Sequence, residues 1–365
     1  MSVYISEYRV LSYLGSGSGH QVMKVYHNQT SQILAMKIEK SPNLGQIEAE
    51  VQKLKHLKGI IGIPQLLDYG KTKDFCGYLI TPILKSNLQD ILRDSSMTIS
   101  QILAIGLGIL EILEQVHKQN VLHLDIKPEN IMLKEFHINF PIEHILKPGF
   151  IQLIDFGLSQ RAGSKISQNK YFVGSLRYAS RQAHKGNQLH FKDDLESLLY
   201  MLVYLRNKKL PWQCNQQYRS QQLEIRKIGE IKEAVFNTLV LTQKFPQLFM
   251  KFKQYIDELT YMEMPDYNYL KLLFRQMLKL ENFSNSFQNK FSFSQSNSFN
   301  ENNQIQNAEM MILSFRNLYK NDSQKCEEDL FDTETSFVQI SDWVKTYNTQ
   351  TTKSIIDIKF DSKCS

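Results

Sequence analysis

His123-Leu124-Asp125-Ile126-Lys127-Pro128-Glu129-Asn130, with Asp155-Phe156-Gly157 downstream, decides how this chain is read. The two segments place a carboxylate, an ammonium, an amide and a second carboxylate at a spacing suited to phosphoryl transfer. That reaction asks little covalent chemistry of a protein: charge must be neutralised, a cation held still and a nucleophile aimed. Asp125 is the candidate acceptor of a hydroxyl proton, and Lys127 can offset charge on the moving group. Asn130 and Asp155 offer the hard oxygen ligands that magnesium prefers. A lone Asp would be a solvated surface group; the full pattern is far more specific.

Working outward, Gly15-Ser16-Gly17-Ser18-Gly19-His20 precedes Val22-Met23-Lys24-Val25-Tyr26. Glycines between strands let backbone N–H groups approach phosphates without obstruction. A dinucleotide fingerprint would carry a helix straight after its third glycine; the strand-like continuation argues against one. Ala35-Met36-Lys37-Ile38 then sets Lys37 on a strand, within reach of phosphates. A carboxylate on the following helix should hold it. Glu48 and Glu50 lie on different sides of that helix, so only one can face Lys37. Glu48 is favoured, because Ile47 and Val51 beside it mark an apolar seam.

At 365 residues the chain can bury a sizeable core, and 42 % hydrophobic and 22 % charged residues are ordinary for a globular protein. Residues 1–283 carry 35 Lys and Arg against 26 Asp and Glu, whereas residues 284–365 carry 8 against 11. No basic run is dense enough to argue for nucleic acid, so none is expected as a partner. Cysteines 76, 214, 326 and 364 show neither disulfide nor metal-like spacing. The N-terminus has no signal-peptide pattern. Ile99–Val116 is long and apolar, but Gln101, Glu111 and Glu114 at helical spacing mark a buried core helix and not a membrane span. An intracellular protein, cytoplasmic or nuclear, is expected.

Short strands are expected between Tyr8 and Met36 and over Tyr78–Ile83, with a helix over Ile47–Leu57. Ile99–Val116, Lys192–Leu205 and Tyr267–Leu280 are the clearest later helices. A small β-rich lobe before a larger helical one would set the motifs around a cleft. From Ser284 to Ala308, 17 of 25 residues are Ser, Asn or Gln, with Phe287, Phe291, Phe293 and Phe299 among them. Such a stretch cannot bury enough apolar surface to offset chain entropy, so a disordered linker is expected. Residues 309–365 read as a mostly disordered tail with one short helix, Glu309–Tyr319. The tail could recruit partners, or dock its acidic Glu327–Glu334 on the basic body.

Taken together the chain resembles the eukaryotic protein kinases and, within them, the casein kinase 1 family. Gly174-Ser175-Leu176-Arg177-Tyr178-Ala179-Ser180 is similar to that family's G-T-A-R-Y-A-S. Asp193-Asp194-Leu195-Glu196-Ser197-Leu198, Leu210-Pro211-Trp212-Gln213 and Pro265-Asp266-Tyr267-Asn268-Tyr269-Leu270 carry the rest. An A-P-E triplet is absent.

The resemblance covers about residues 8–283. It implies an α+β, two-lobed protein kinase fold, with a small lobe over about 8–82 and a large lobe over about 85–283. It implies a serine/threonine kinase, expected to be monomeric, acting on protein substrates with ATP and Mg2+. Gly15, Gly17, Val22, Ala35, Lys37, Glu48, Thr81, Leu84 and Met132 would form the nucleotide site, with Thr81 at the gatekeeper position. Asn130 and Asp155 would hold the metal and Asp125 and Lys127 would act in catalysis. Arg177 would join an anion site for acidic or primed substrates, and Asp194 would brace the catalytic loop.

Three departures accompany the match. His20 stands where a third glycine is usual, which would be strained if the backbone there needs a positive φ. Leu124 replaces the usual Arg, so switching by a phosphorylated activation loop is not expected. An insertion around Phe136–Gly149 should be a surface loop. The alternative reading is a catalytically weak pseudokinase that serves as a binding scaffold.

Overall fold

The computed structural model describes residues 4–17, 19–42, 44–134, 141–163, 172–213 and 219–294. The chain divides into two units, Met1–Ser286 and Phe287–Ser365, and the site lies wholly in the first.

The N-terminal part is an antiparallel sheet of β1 (Tyr4–Ile5), β2 (Tyr8–Ser16), β3 (His20–His27), β4 (Gln32–Glu39), β5 (Asp68–Lys71) and β6 (Gly77–Pro82), in the order β1-β2-β3-β4-β6-β5. Helix α1 (Gln46–His56) intervenes between β4 and β5. Strand alternation sorts the sheet's two faces. Val25, Leu34, Met36, Ile38, Tyr78 and Ile80 bury one face in a common core. The register pairs Val22 with Lys37, Ala35 with Thr81 and His20 with Glu39, so His20, Val22, Ala35, Lys37 and Thr81 share the other face. That second face roofs the site.

Below it, β7 (Ser86–Asn87) leads into α2 (Leu88–Asp94) and α3 (Ile99–Lys118). A Thr98–Gln101 capping box starts α3, satisfying backbone N–H groups that a helix end leaves open. Length and composition would let α3 cross a membrane, yet most of its side chains lie inside the core. At Gly106 a Cβ would sit 2.4 Å from the Phe274 ring, so glycine is what allows this close approach. Then follow β8 (Val121–Leu122), β9 (Ile131–Leu133), α4 (Ile142–Ile145), β10 (Ile151–Leu153) and β11 (Gln160–Arg161). Sheets β10-β9-β7 and β11-β8 hold the catalytic loop between them. The described part of the insertion is therefore not a plain loop: α4 buries Ile145 in the large core.

The helices α5 (Arg181–Lys185), α6 (Phe191–Asn207), α7 (Gln221–Phe236), α8 (Phe249–Glu258) and α9 (Tyr267–Ser294) complete the fold. Of the stretch expected to be disordered, residues 284–294 continue α9, because the helix does not stop where the low-complexity composition begins. Residues 295–365, including the expected tail helix, lie outside the described residues.

Candidate active site

Helix α1 buries Ile47, Glu50, Val51 and Leu54, a 3–4 spacing that sets Glu50 within the apolar seam and not beside it. Glu50 Oε2 is 2.7 Å from Lys37 Nζ, and Asp155 Oδ1 is also 2.7 Å from it. Glu48, the expected partner, is a correction: it points outward, 67 % exposed and 3.9 Å from Lys71. The seam reading was sound in outline, but a residue flanking the seam by one position is turned about 100° from it. Burial alone would lower the Lys37 pKa; the two carboxylates reverse this and hold it above its ordinary value. Burial would raise Asp155, yet Lys37 and the Gly157 N–H bring it well below the usual carboxylate range.

Glu50 also accepts from the Phe156 N–H at 3.2 Å. From the next turn of the helix, Lys53 donates to the carbonyls of Phe156 (3.1 Å) and Gly157 (3.3 Å). Helix α1 is thus fastened to the Asp155-Phe156-Gly157 turn at three points. Sequence reading weighed Glu50 but favoured Glu48, and it missed Lys53; an i, i+3 pair of charges, Glu50 and Lys53, was the available signal.

Asp155 and Leu124 both have φ of 65°, a left-handed backbone that costs non-glycine residues about 1–3 kcal/mol each. Asp194, fully buried at the start of α6, holds the catalytic loop in this form. Its two oxygens accept from the N–H groups of His123 and Leu124, each at 2.7 Å. His117 Nε2 lies 2.9 Å from Asp194, and Tyr267 Oη lies 2.5 Å from His117 Nδ1. This explains why Asp194 and the Pro265–Leu270 motif occur together: the last helix supports the brace. Leu124 itself is buried with Leu122, Ala179, Phe191 and neighbouring apolar residues. A hydrophobic contact stands where the resemblance would place an arginine.

His123 accepts the Asp125 N–H on Nδ1 (3.2 Å) and places Nε2 3.1 Å from the Ile154 carbonyl. Both bonds fit the neutral Nε2–H tautomer, and burial lowers its pKa accordingly. Asp125 is nearly buried, and its side chain is held from three directions. Lys127 Nζ is 2.5 Å and Asn130 Nδ2 3.0 Å from Oδ2, while the Ser175 hydroxyl donates to Oδ1 at 2.7 Å. Lys127 also reaches Ser175 Oγ at 3.2 Å. Asn130 donates a second bond, to the Asp125 carbonyl at 2.9 Å. Its amide hydrogens are spent inward, which leaves its oxygen as the acceptor a cation could use. Ser175 was quoted in the sequence motif without a task; the fold brings it to the acid–base centre.

Val22, Ala35 and Thr81 share one face of the sheet as described, and Met132 sits between buried Ile131 and Leu133 on β9, with its side chain on the opposite face of that strand. Leu84, half-buried, lies in the link between β6 and β7. His20 has no positive φ, so the strain feared for it does not arise. Gly15 and Gly17 close the turn, with the Gly17 N–H donating to the His20 carbonyl at 3.0 Å. A glycine turn above, Lys37 beside it and the oxygens of Asp155 and Asn130 opposite fit a nucleoside triphosphate with magnesium.

Arg177, half-buried, stacks its guanidinium 5.3 Å from the Tyr204 ring centroid, and its carbonyl accepts from the Trp212 indole. Residues 214–218, after the Leu210-Pro211-Trp212-Gln213 motif, lie outside the described residues. Lys232 faces inward, donating to the carbonyls of Leu176 (2.9 Å) and Ala179 (2.6 Å). In place of an A-P-E anchor, Arg181 ties the end of this segment to Glu196 of α6 and Asp257 of α8.

His184 completes the support. Its Nδ1 is 2.7 Å from the Ile225 carbonyl, and Nε2 is 3.0 Å from Lys232 Nζ. Burial, and then the charge of Lys232, bring its pKa down from 6.5 to about 4. A depressed folded value means stability is fully present above about pH 6.5 and is lost as pH falls through 4, by about 3 kcal/mol in all. Urea unfolding of His184→Gln should therefore show a deficit at pH 7 that shrinks by about that amount at pH 4. Parallel pH profiles for the two proteins would remove His184 as the titrating group.

A buried Lys–Glu–Asp bridge beside a held Asp–Lys–Asn catalytic loop, between a β-sheet and a helical body, defines a protein kinase. Comparison agrees: residues 8–284 match the protein kinase domain family. The chain is also 33 % identical over 282 residues to the protein named "Probable casein kinase I homolog" of Encephalitozoon cuniculi (strain GB-M1), covering 74 % of this chain and 84 % of that protein. The chain belongs to the protein kinase family and is casein kinase 1-like, an ATP-dependent enzyme of the serine/threonine class.

Proposed function

We propose that the protein transfers the γ-phosphoryl group of ATP to serine and threonine hydroxyls of protein substrates, preferring acidic ones. The observation that carries this reading is the Asp125 carboxylate held by Lys127, Asn130 and Ser175. Asp125 accepts the proton of the attacking hydroxyl, and Lys127 offsets charge beside it. Glu50 holds Lys37 where it can meet phosphate oxygens. Magnesium, held by Asp155 and Asn130, would supply charge neutralisation on the triphosphate. The acidic preference is supported by the basic balance of residues 1–283 and by Arg177.

The test is labelling of casein with γ-labelled ATP and magnesium, followed by phosphoamino-acid analysis. Phosphoserine and phosphothreonine are expected, with acidic peptides labelled ahead of neutral ones. ATP binding without any label would sink the reading in favour of a scaffold that kept its pocket. A second test addresses the adenine end, where Thr81 lies opposite Ala35. Thr81→Gly should admit ATP analogues with bulky adenine substituents that the wild type rejects. Unchanged rejection would mean Thr81 does not border the base.

A further inference from the structure

The roof of the site carries one side chain that a glycine-rich turn does not supply. His20 opens β3 and, by its pairing with Glu39, projects on the same face as Val22 and Lys37. Its ring is tucked under the turn: a Cβ on Gly17 would sit 2.4 Å from His20 Cε1 and 2.7 Å from Nε2. Gly17 therefore serves less to bend the chain, since its φ is not positive, than to make room for an imidazole. The backbone is fixed around it as well. The His20 carbonyl accepts from the Gly17 N–H at 3.0 Å and from the Ser16 hydroxyl at 3.2 Å, and Lys40 Nζ is 2.6 Å from the Gly17 carbonyl. The charged groups in electrostatic reach of the ring are Lys37, Lys40, Lys127 and Asp155, which are the groups around the phosphate end of the cleft.

We propose that His20 is a direct ligand of the ATP phosphates, donating a ring N–H from the roof opposite Asp155 and Asn130. Burial, and then Lys37, keep the imidazole below its ordinary pKa, so a neutral ring with one N–H is available at neutral pH. A neutral donor held by the turn offers phosphate oxygens a hydrogen bond where a third glycine would offer only its backbone. The proposal rests on the kinase reading for its ligand, but its test does not need turnover.

Direct titration of the full chain with Mg–ATP and, separately, with adenosine distinguishes the possibilities. His20→Ala should weaken ATP binding by about 10-fold while leaving adenosine within about twofold. His20→Gln, which keeps a neutral N–H donor of similar reach, should recover most of the ATP affinity. ATP binding that is unchanged or tighter in His20→Ala would overturn the proposal, since the ring would then only fill the space phosphates need. Equal losses of ATP and adenosine in both variants would also overturn it, because the histidine would be shaping the roof and not meeting phosphate. Casein labelling measured alongside reports separately on the kinase reading, as ATP can bind to a protein that transfers nothing.

Discussion

Replacing Asp125 by Asn should lower kcat by about 10²–10⁴, the usual range for a positioned proton acceptor, with little change in ATP affinity. The side chain keeps its size, so its neighbours stay in place; what is lost is a group that can take a proton. The Asp125 side chain bonds to Lys127, Asn130 and Ser175, whereas Lys37 is held by Glu50 and Asp155. The binding half of the cleft should therefore be preserved. Steady-state kinetics on casein, with ATP titration as control, check this. Activity within about threefold of wild type would mean that Asp125 is not the acceptor.

The second large effect separates two glutamates on one helix. Glu50→Gln should reduce kcat/KM by roughly 10²-fold or more, because it removes one of the two carboxylates that hold the buried Lys37 ammonium. Lys37 would remain bonded to Asp155 alone, pulling on the group needed for magnesium. Glu48→Gln should leave activity within about twofold, since an exposed pair of this kind contributes about 0–1 kcal/mol. Side-by-side kinetics of the two variants decide the matter, and equal losses would show that the α1 contacts described here do not govern Lys37.

Much of this site was legible before any coordinates. Lys37, Asp125, Lys127, Asn130 and Asp155 are separated in sequence, but each belongs to a motif whose chemistry restricts the residue type, so local reading named them as candidates, and the fold joins Lys37 to Asp155 and Asp125 to Lys127 and Asn130. The role of Asp194 came only from the family resemblance, and its connection through His117 to Tyr267 spans three helices, which no local pattern reports. The choice between Glu48 and Glu50 failed because it turned on helix rotation. Two positions along a helix differ by about 200° in direction, and only packing against the Phe156 turn fixes that angle. Ser175 and Lys53 were missed because their partners lie 50 and more than 100 positions away.

By itself, then, the sequence determined the fold family and named the candidate groups of the site, because those depend on residue type and short-range spacing. Tertiary structure alone decided which carboxylate faces Lys37, that Leu124 is buried among apolar side chains, and that the His20 ring tucks against Gly17 on the sheet face that carries Lys37. Each of these is a matter of side-chain direction, set when strands pair and helices pack, and composition and spacing leave it open.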